Sequence, residues 1–154
     1  MFSTRLAVRG LKSRFPLSQK YIDFVNSIHN VTADFLEGTT ASGKTTVGAG
    51  IKFMRMVSAN RKKLHVIAAK TTGKAEETII QQDNGILDLH SNARYFGNGD
   101  KDYKLPHIKF EGKIIYVLGY DNKDKWEMVL GAQFGCVYID EINTADIEFV
   151  REMS

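Results

Sequence analysis

Gly38-Thr39-Thr40-Ala41-Ser42-Gly43-Lys44-Thr45 matches the pattern G-x-x-x-x-G-K-[ST] at every fixed position. Each fixed residue has a chemical reason. Glycines let the backbone curl so that successive N–H groups converge on phosphate oxygens. A helix opening at Lys44 adds its positive N-terminal end to the same cavity. The Lys44 ammonium then reaches the β- and γ-phosphates, and the Thr45 hydroxyl ligates Mg²⁺. The nucleotide-binding run is read as Gly38 to Thr46, and the ligands it implies are ATP and Mg²⁺.

Far downstream, Val137-Tyr138-Ile139 is an apolar strand that ends in Asp140 and Glu141. Alone, such a pair is as readily a solvated strand end. Beside a phosphate loop, an aspartate at the end of a buried parallel strand holds Mg²⁺ through its water shell. A glutamate just after it orients and polarises the attacking water as a general base. The expected roles are Asp140 and Thr45 for the metal, with Glu141 and Lys44 for catalysis.

Other groups are weaker signals. Phe15 and Gln19 stand four apart, and a ring with an amide can stack on adenine and read its edge. A core phenylalanine beside an exposed glutamine explains them as well. Arg55, Arg61, Lys62 and Lys63 crowd one helix end and turn, where cations sit favourably on a solvated face and DNA contact is the lesser reading. Thr71, Thr72 and Lys74 open a helix and either cap it or meet a nucleic-acid backbone. His29, His65, His90 and His107 lack partners at metal-ligand spacing and read as structural. Cys136 reads as a small buried apolar residue.

The elements that must position these residues follow from periodicity. Ser18 caps a helix running to about His29, with Tyr21, Ile22, Val25 and Ile28 on one face. Val31 to Glu37 reads as the strand before the phosphate loop. Lys44 to about Ser58 reads as the helix after it, carrying Val47, Ile51, Met54 and Val57 inward. Leu64 to Ala69 is a strand buried on both faces. Helices are expected at Lys74 to Gln82 and Ile86 to His90, then a long loop from Ser91 to Leu105. His107 to Phe110 and Lys113 to Leu118 flank Glu111-Gly112 as a hairpin. Asp121 to Leu130 reads as a short helix turning Trp126, Val129 and Leu130 inward. Strands alternating with helices give an α/β fold with a mainly parallel sheet.

The chain has 154 residues, 43% of them apolar and 25% charged. That length gives one domain and a core that needs no disulfide or metal staple. One cysteine allows no internal disulfide, which suits a reducing compartment. The net charge of +3 is uneven. Residues 1–20 carry Arg5, Arg9, Lys12, Arg14 and Lys20 without an acid, and the rest is slightly acidic. The arm shares its arginine-rich, acid-poor character with organelle transit peptides, yet it runs directly into a helix at Tyr21. A solvated flank is the plainer reading than nucleic-acid contact.

The run Phe35 to Thr45, the hairpin Ile108 to Leu118, Trp126-Glu-Met-Val-Leu-Gly131 and Gly135 to Asn143 together resemble phage terminase large subunits, in that family's order. The resemblance covers about residues 15–154. It implies a three-layer P-loop NTPase of the additional-strand, catalytic-glutamate class, whose two nucleotide patterns are Walker A and Walker B. Residues 1–20 are then a basic arm with the adenine motif of Phe15 and Gln19, and 21–154 the ATPase domain. It further implies double-stranded DNA as substrate, a small terminase subunit and a portal protein as partners, ring assembly on a prohead, and the bacterial host cytoplasm. A helicase-like ATPase or a nucleotide-binding module without turnover are the alternatives. Two departures matter. Ala41 or Ser42 stands where many members carry a loop arginine, leaving Arg55, Arg61, Arg94, Arg151 or a neighbouring subunit to supply that charge. The sequence also stops before the family's coupling motif and nuclease domain, so the ATPase domain is expected to be truncated and DNA cutting absent.

Overall fold

A computed structural model describes residues 18–27, 33–35 and 43–154. The apolar run Leu64–Ala69 forms β1, an interior strand of a five-stranded sheet. Around it lie β2 (Ala93–Phe96), β3 (His107–Phe110), β4 (Lys113–Gly119) and β5 (Val137–Ile139), in the order β2-β3-β4-β1-β5. β1 is parallel to both β4 and β5, whereas β2, β3 and β4 pair antiparallel. The β3–β4 hairpin turns at Glu111 (φ 49°) and Gly112 (φ 74°), the two positive angles that a tight two-residue turn needs.

Strand alternation sends β1 side chains to both faces of the sheet. Ile67 and Ala69 join Ile115 and Val117 of β4 beneath one layer of helices, while Val66 and Ala68 join Leu118 on the other face. The first layer contains α2, wound with π-helical turns over Thr46–Phe53 and as an α-helix over Met54–Ala59. It also contains α3 (Thr72–Ala75 continuing through Glu76–Ile80) and α4 (Ile86–Leu89). The opposite face is covered by α5 (Lys123–Glu127) and α6 (Ile147–Met153), which bring Trp126, Phe149 and Met153 onto the sheet. Helices on both faces explain why β1 is apolar but for His65. The expected inward positions of α2, Val47, Ile51, Met54 and Val57, are all buried.

α1 (Gln19–Asn26) begins where expected, with the Ser18 hydroxyl accepting from the Tyr21 amide, and ends three residues before His29. Val25 packs against Val47, Ile51 and Leu89. Lys52, only 2% exposed, reaches back from α2 to pair with Asp34 and meet the Ser27 hydroxyl at 3.1 Å. Its ammonium also lies 3.8 Å from the centre of the Phe24 ring. A buried cation needs this many partners because its desolvation is otherwise uncompensated.

Three expectations change. Within Ser91 to Leu105, Ala93–Phe96 is an edge strand, held by pairing with β3 despite its polar flanks. Leu130 is 39% exposed, because α5 ends at Glu127 and the chain then turns away to Gly131 at φ 91°. Residues 33–35, inside the expected strand 31–37, form no strand, and its remaining residues lie outside the described ones.

At the carboxyl ends of the central strands the backbones come very close. A side chain on Gly119 of β4 would place its Cβ 2.9 Å from Thr71 Cα and 2.9 Å from the Thr72 nitrogen. Only glycine fits there.

Candidate functional site

The amino end of α2 opens at Gly43, whose φ of 81° lies in the region that glycine enters without strain. Its carbonyl accepts the Val47 amide at 2.9 Å, which starts the helix. Lys44, Thr45 and Thr46 follow, all half-buried. Thr45 occupies the capping position without a side-chain bond to the helix, and the Tyr138 phenol stands near its hydroxyl. Gly38, Thr39, Thr40, Ala41, Ser42 and Phe15 lie outside the described residues.

β5 brings the acidic pair to the same place. The Tyr138 ring stands edge-on to Phe53 of α2, with centroids 6.2 Å apart. In a strand, residues two apart share a face, so Tyr138 and Asp140 both turn toward α2. The Tyr138 hydroxyl lies near both the Asp140 carboxyl and the Thr45 hydroxyl. The Asp140 amide donates to Ala68 O at 2.8 Å, fixing the residue just past the strand pairing. Burial pushes the Asp140 carboxyl above the usual carboxylate range, and the neighbouring Glu141 adds to the rise. The Lys74 and Lys44 ammonium groups and the Tyr138 hydroxyl pull it back. The carboxyl is thus poorly solvated and only partly compensated by its neighbours.

Glu141 leaves the strand in the left-handed region, with φ 51° and ψ 49°. Its side chain is exposed, and its carbonyl accepts the Thr144 amide at 2.8 Å and the Thr144 hydroxyl at 2.9 Å. Residues outside their preferred backbone region concentrate at functional sites, where surrounding bonds hold them.

The donor set fits a hard divalent cation. Thr45 offers a neutral oxygen and Asp140 a carboxylate, with one phenol near both. Mg²⁺ usually takes one or two protein oxygens and completes its shell with water and phosphate. A group whose ionised form is disfavoured by burial gains from a nearby cation.

Other sequence candidates sort by location. Gln19 stands exposed at the start of α1, with its amide donating to Asp23 Oδ1 at 2.7 Å. Arg55 caps the end of α1, donating to Asn26 Oδ1 at 2.7 Å and Val25 O at 3.3 Å. Lys74, singled out above for capping or backbone contact, also places its charge toward Asp140. His65 uses both ring nitrogens, donating to Lys62 O at 2.9 Å and accepting from the Cys136 amide at 3.0 Å. Burial lowers its pKa, so it is a neutral structural histidine.

Tyr138 and Tyr120 were missed from sequence. For Tyr138 a signal existed, since it precedes Asp140 by two on a strand. Tyr120 follows β4 and reaches the acidic turn only through the sheet order, which no local pattern reveals.

Two clefts open where β1 and β4 end. One, of 480 Å³, is bordered by Lys70, Thr71, Asp121 and Lys123, and the other, of 290 Å³, by Thr72, Asn98, Lys104 and Lys125. No helix among the described residues is long and apolar enough to cross a membrane.

No protein-family model and no curated protein matches the sequence. Among solved structures, the chain is similar to the large terminase of a thermophilic bacteriophage, with a TM-score of 0.67 and 18% identity. The match covers 90% of this chain and 36% of that one, so this chain spans about a third of that protein's length. At this identity the similarity shows a terminase-like fold.

Proposed function

We propose that this chain is an Mg²⁺-dependent P-loop ATPase whose turnover drives double-stranded DNA into a viral prohead. The observation that carries the reading is the convergence of Lys44 and Thr45, at the start of α2, with Asp140 and Glu141 at the end of β5. The terminase-like fold supplies the packaging half of the proposal. A shared fold hosts several activities, so the residues and not the likeness must carry the chemistry.

In this reading the residues from Gly38 to Thr46 hold the triphosphate, with Lys44 compensating the β- and γ-phosphate charge. Thr45 and Asp140 hold Mg²⁺, which neutralises phosphate charge and fixes the phosphoryl oxygens when bound. Glu141 orients the attacking water and accepts its proton. Phe15 and Gln19 contact the adenine. The cleft bordered by Thr72, Lys104 and Lys125 faces the DNA backbone, where lysine and threonine make sequence-independent phosphate contacts. A ring of such chains on a portal, assisted by a small terminase subunit, is the working assembly in the host cytoplasm.

The test is steady-state ATP hydrolysis with and without duplex DNA, alongside Glu141→Gln. Turnover that rises with duplex DNA and collapses in the variant supports the motor. ATP binding without turnover reduces the chain to a nucleotide-binding module. Stimulation by single strands alone overturns the packaging assignment.

A further inference from the structure

The acidic turn is held by a relay of hydroxyls that the nucleotide chemistry does not itself require. Tyr120 follows β4 and is 3% exposed, its ring tilted against Phe149 at a centroid distance of 5.9 Å. Its hydroxyl lies 2.7 Å from Thr144 Oγ1. The Thr144 hydroxyl has one proton, and it donates this to Glu141 O at 2.9 Å. Tyr120 is therefore the donor to Thr144, and the relay runs Tyr120 to Thr144 to the Glu141 carbonyl. The same phenol oxygen lies 3.4 Å from both the Asp140 and the Glu141 carbonyls.

Glu141 is where this matters. Its φ of 51° is a backbone state that an L-residue with a long side chain leaves readily unless its surroundings hold it. In extended backbone, its side chain would continue the alternation of β5 and point to the face opposite Asp140. The left-handed step breaks that alternation. Among the described hydrogen bonds, its clamps are those that its carbonyl accepts from the Thr144 amide and hydroxyl and, at 3.4 Å, from the Tyr120 phenol, which also stands behind Thr144.

We propose that Tyr120 and Thr144 are positioning residues that lock Glu141 in its left-handed conformation and so aim its carboxylate for water activation. The inference rests on the ATPase reading above for the role of Glu141, while the lock itself is independent of it. Because the anchor hydroxyl belongs to the residue after β4, the aim of Glu141 depends on the strand that borders both clefts.

The experiment compares Tyr120→Phe, Thr144→Val and Thr144→Ser with the unaltered chain. Tyr120→Phe keeps the packed ring, and Thr144→Ser keeps the hydroxyl. Tyr95→Phe is the control, because it removes a phenol that bonds to Glu76 away from the acidic turn. Three quantities are read: kcat and KM for ATP hydrolysis, affinity for a non-hydrolysable fluorescent ATP analogue, and amide hydrogen exchange at Thr144.

The expected result is a fall in kcat of about 10-fold in Tyr120→Phe and Thr144→Val, less than the roughly 100-fold or more for removing a general base, because the carboxylate is misaimed and not lost. Analogue affinity stays unchanged, Thr144→Ser restores turnover, and Thr144 exchange quickens only in the first two variants. Unchanged kcat and exchange in Tyr120→Phe overturn the proposal. So does a fall in kcat matched by Tyr95→Phe, or one that follows analogue affinity, since either is a general loss of structure. An unaltered chain that binds the analogue but never turns over overturns the ATPase reading and the aiming role with it. The exchange arm then still decides whether the lock exists.

Discussion

Two aspartates at opposite sides of the sheet have opposite fates. Asp100, beside the β3 hairpin, accepts from Lys109 at 2.6 Å and from the Tyr103 amide at 2.8 Å, with the Asp102 amide as a third donor. These donors hold its carboxyl well below the usual carboxylate range. Asp140 is held above that range by burial and by Glu141. The first charge is satisfied by the protein alone and serves the turn that precedes β3. The second is left under-compensated by the groups around it. The two neighbourhoods differ in build as well. β3 and β4 pair over four residues around a tight hairpin, while β5 contributes three half-buried residues. One side satisfies its charge within a closed pairing, the other leaves a half-buried carboxyl partly compensated at the end of a short strand.

The sharpest way to break this contrast is Glu141→Gln. On the ATPase reading, turnover falls by about 100-fold or more, with little change in melting temperature. A variant that melts early instead would make the acidic turn structural, and calorimetry beside the hydrolysis assay separates the two. Phe110→Ala is the mirror experiment. Phe110 is 1% exposed and meets His90 edge-on at 5.6 Å, so its truncation costs about 3–5 kcal/mol in denaturant unfolding. Nucleotide affinity of the remaining folded protein stays unchanged.

Much of the hairpin side was legible in the sequence, and the reason is local. Leu64–Ala69 is a closed apolar run, and Glu111-Gly112 lies between two alternating segments, so type and boundary coincide. Ala93–Phe96 was not legible. Arg94 points outward, glycines follow, and the strand is specified by its pairing with β3 from outside its own segment. At the site, Asp140 and Glu141 were readable because an apolar strand ends on them, and Lys44 and Thr45 because of the loop pattern. Tyr120 and Thr144 were not, since their meeting depends on β4, β1 and β5 standing side by side. Gly38 to Ser42 and Phe15 remain sequence expectations, outside the described residues.

A smaller effect probes the hairpin turn. Gly112→Ala meets no atom within 4 Å, so its cost is purely the positive φ of 74°, about 1 kcal/mol. Chemical denaturation reads it, and a cost several times larger would mean that the turn packs against something.

The smallest effect is a matter of sign. For Asp140, with its raised pKa, the neutral form favours folding, so its penalty is present at neutral pH and fades as pH falls through the raised value. For Asp100 the ionised form favours folding, and its support is lost as pH falls below the ordinary carboxylate range. In metal-free buffer, Asp140→Asn therefore raises the melting temperature at neutral pH, with the gain shrinking on acidification. Asp100→Asn lowers it at neutral pH, with the deficit shrinking on acidification. Melting curves that shift alike in both variants would erase the distinction drawn between the two carboxylates.

Gly119 sits where the two supports of the acidic turn meet. Its bare Cα lets β4 finish directly against the Thr71–Thr72 backbone, one residue before Tyr120 and two residues before Lys74. A single methyl there would act as a wedge, shifting the backbone that leads to the Tyr120 phenol and the backbone that leads to the Lys74 ammonium in the same stroke. The molecule thus carries a fulcrum on which two separately held parts of its acidic corner turn together, and its size is one missing carbon.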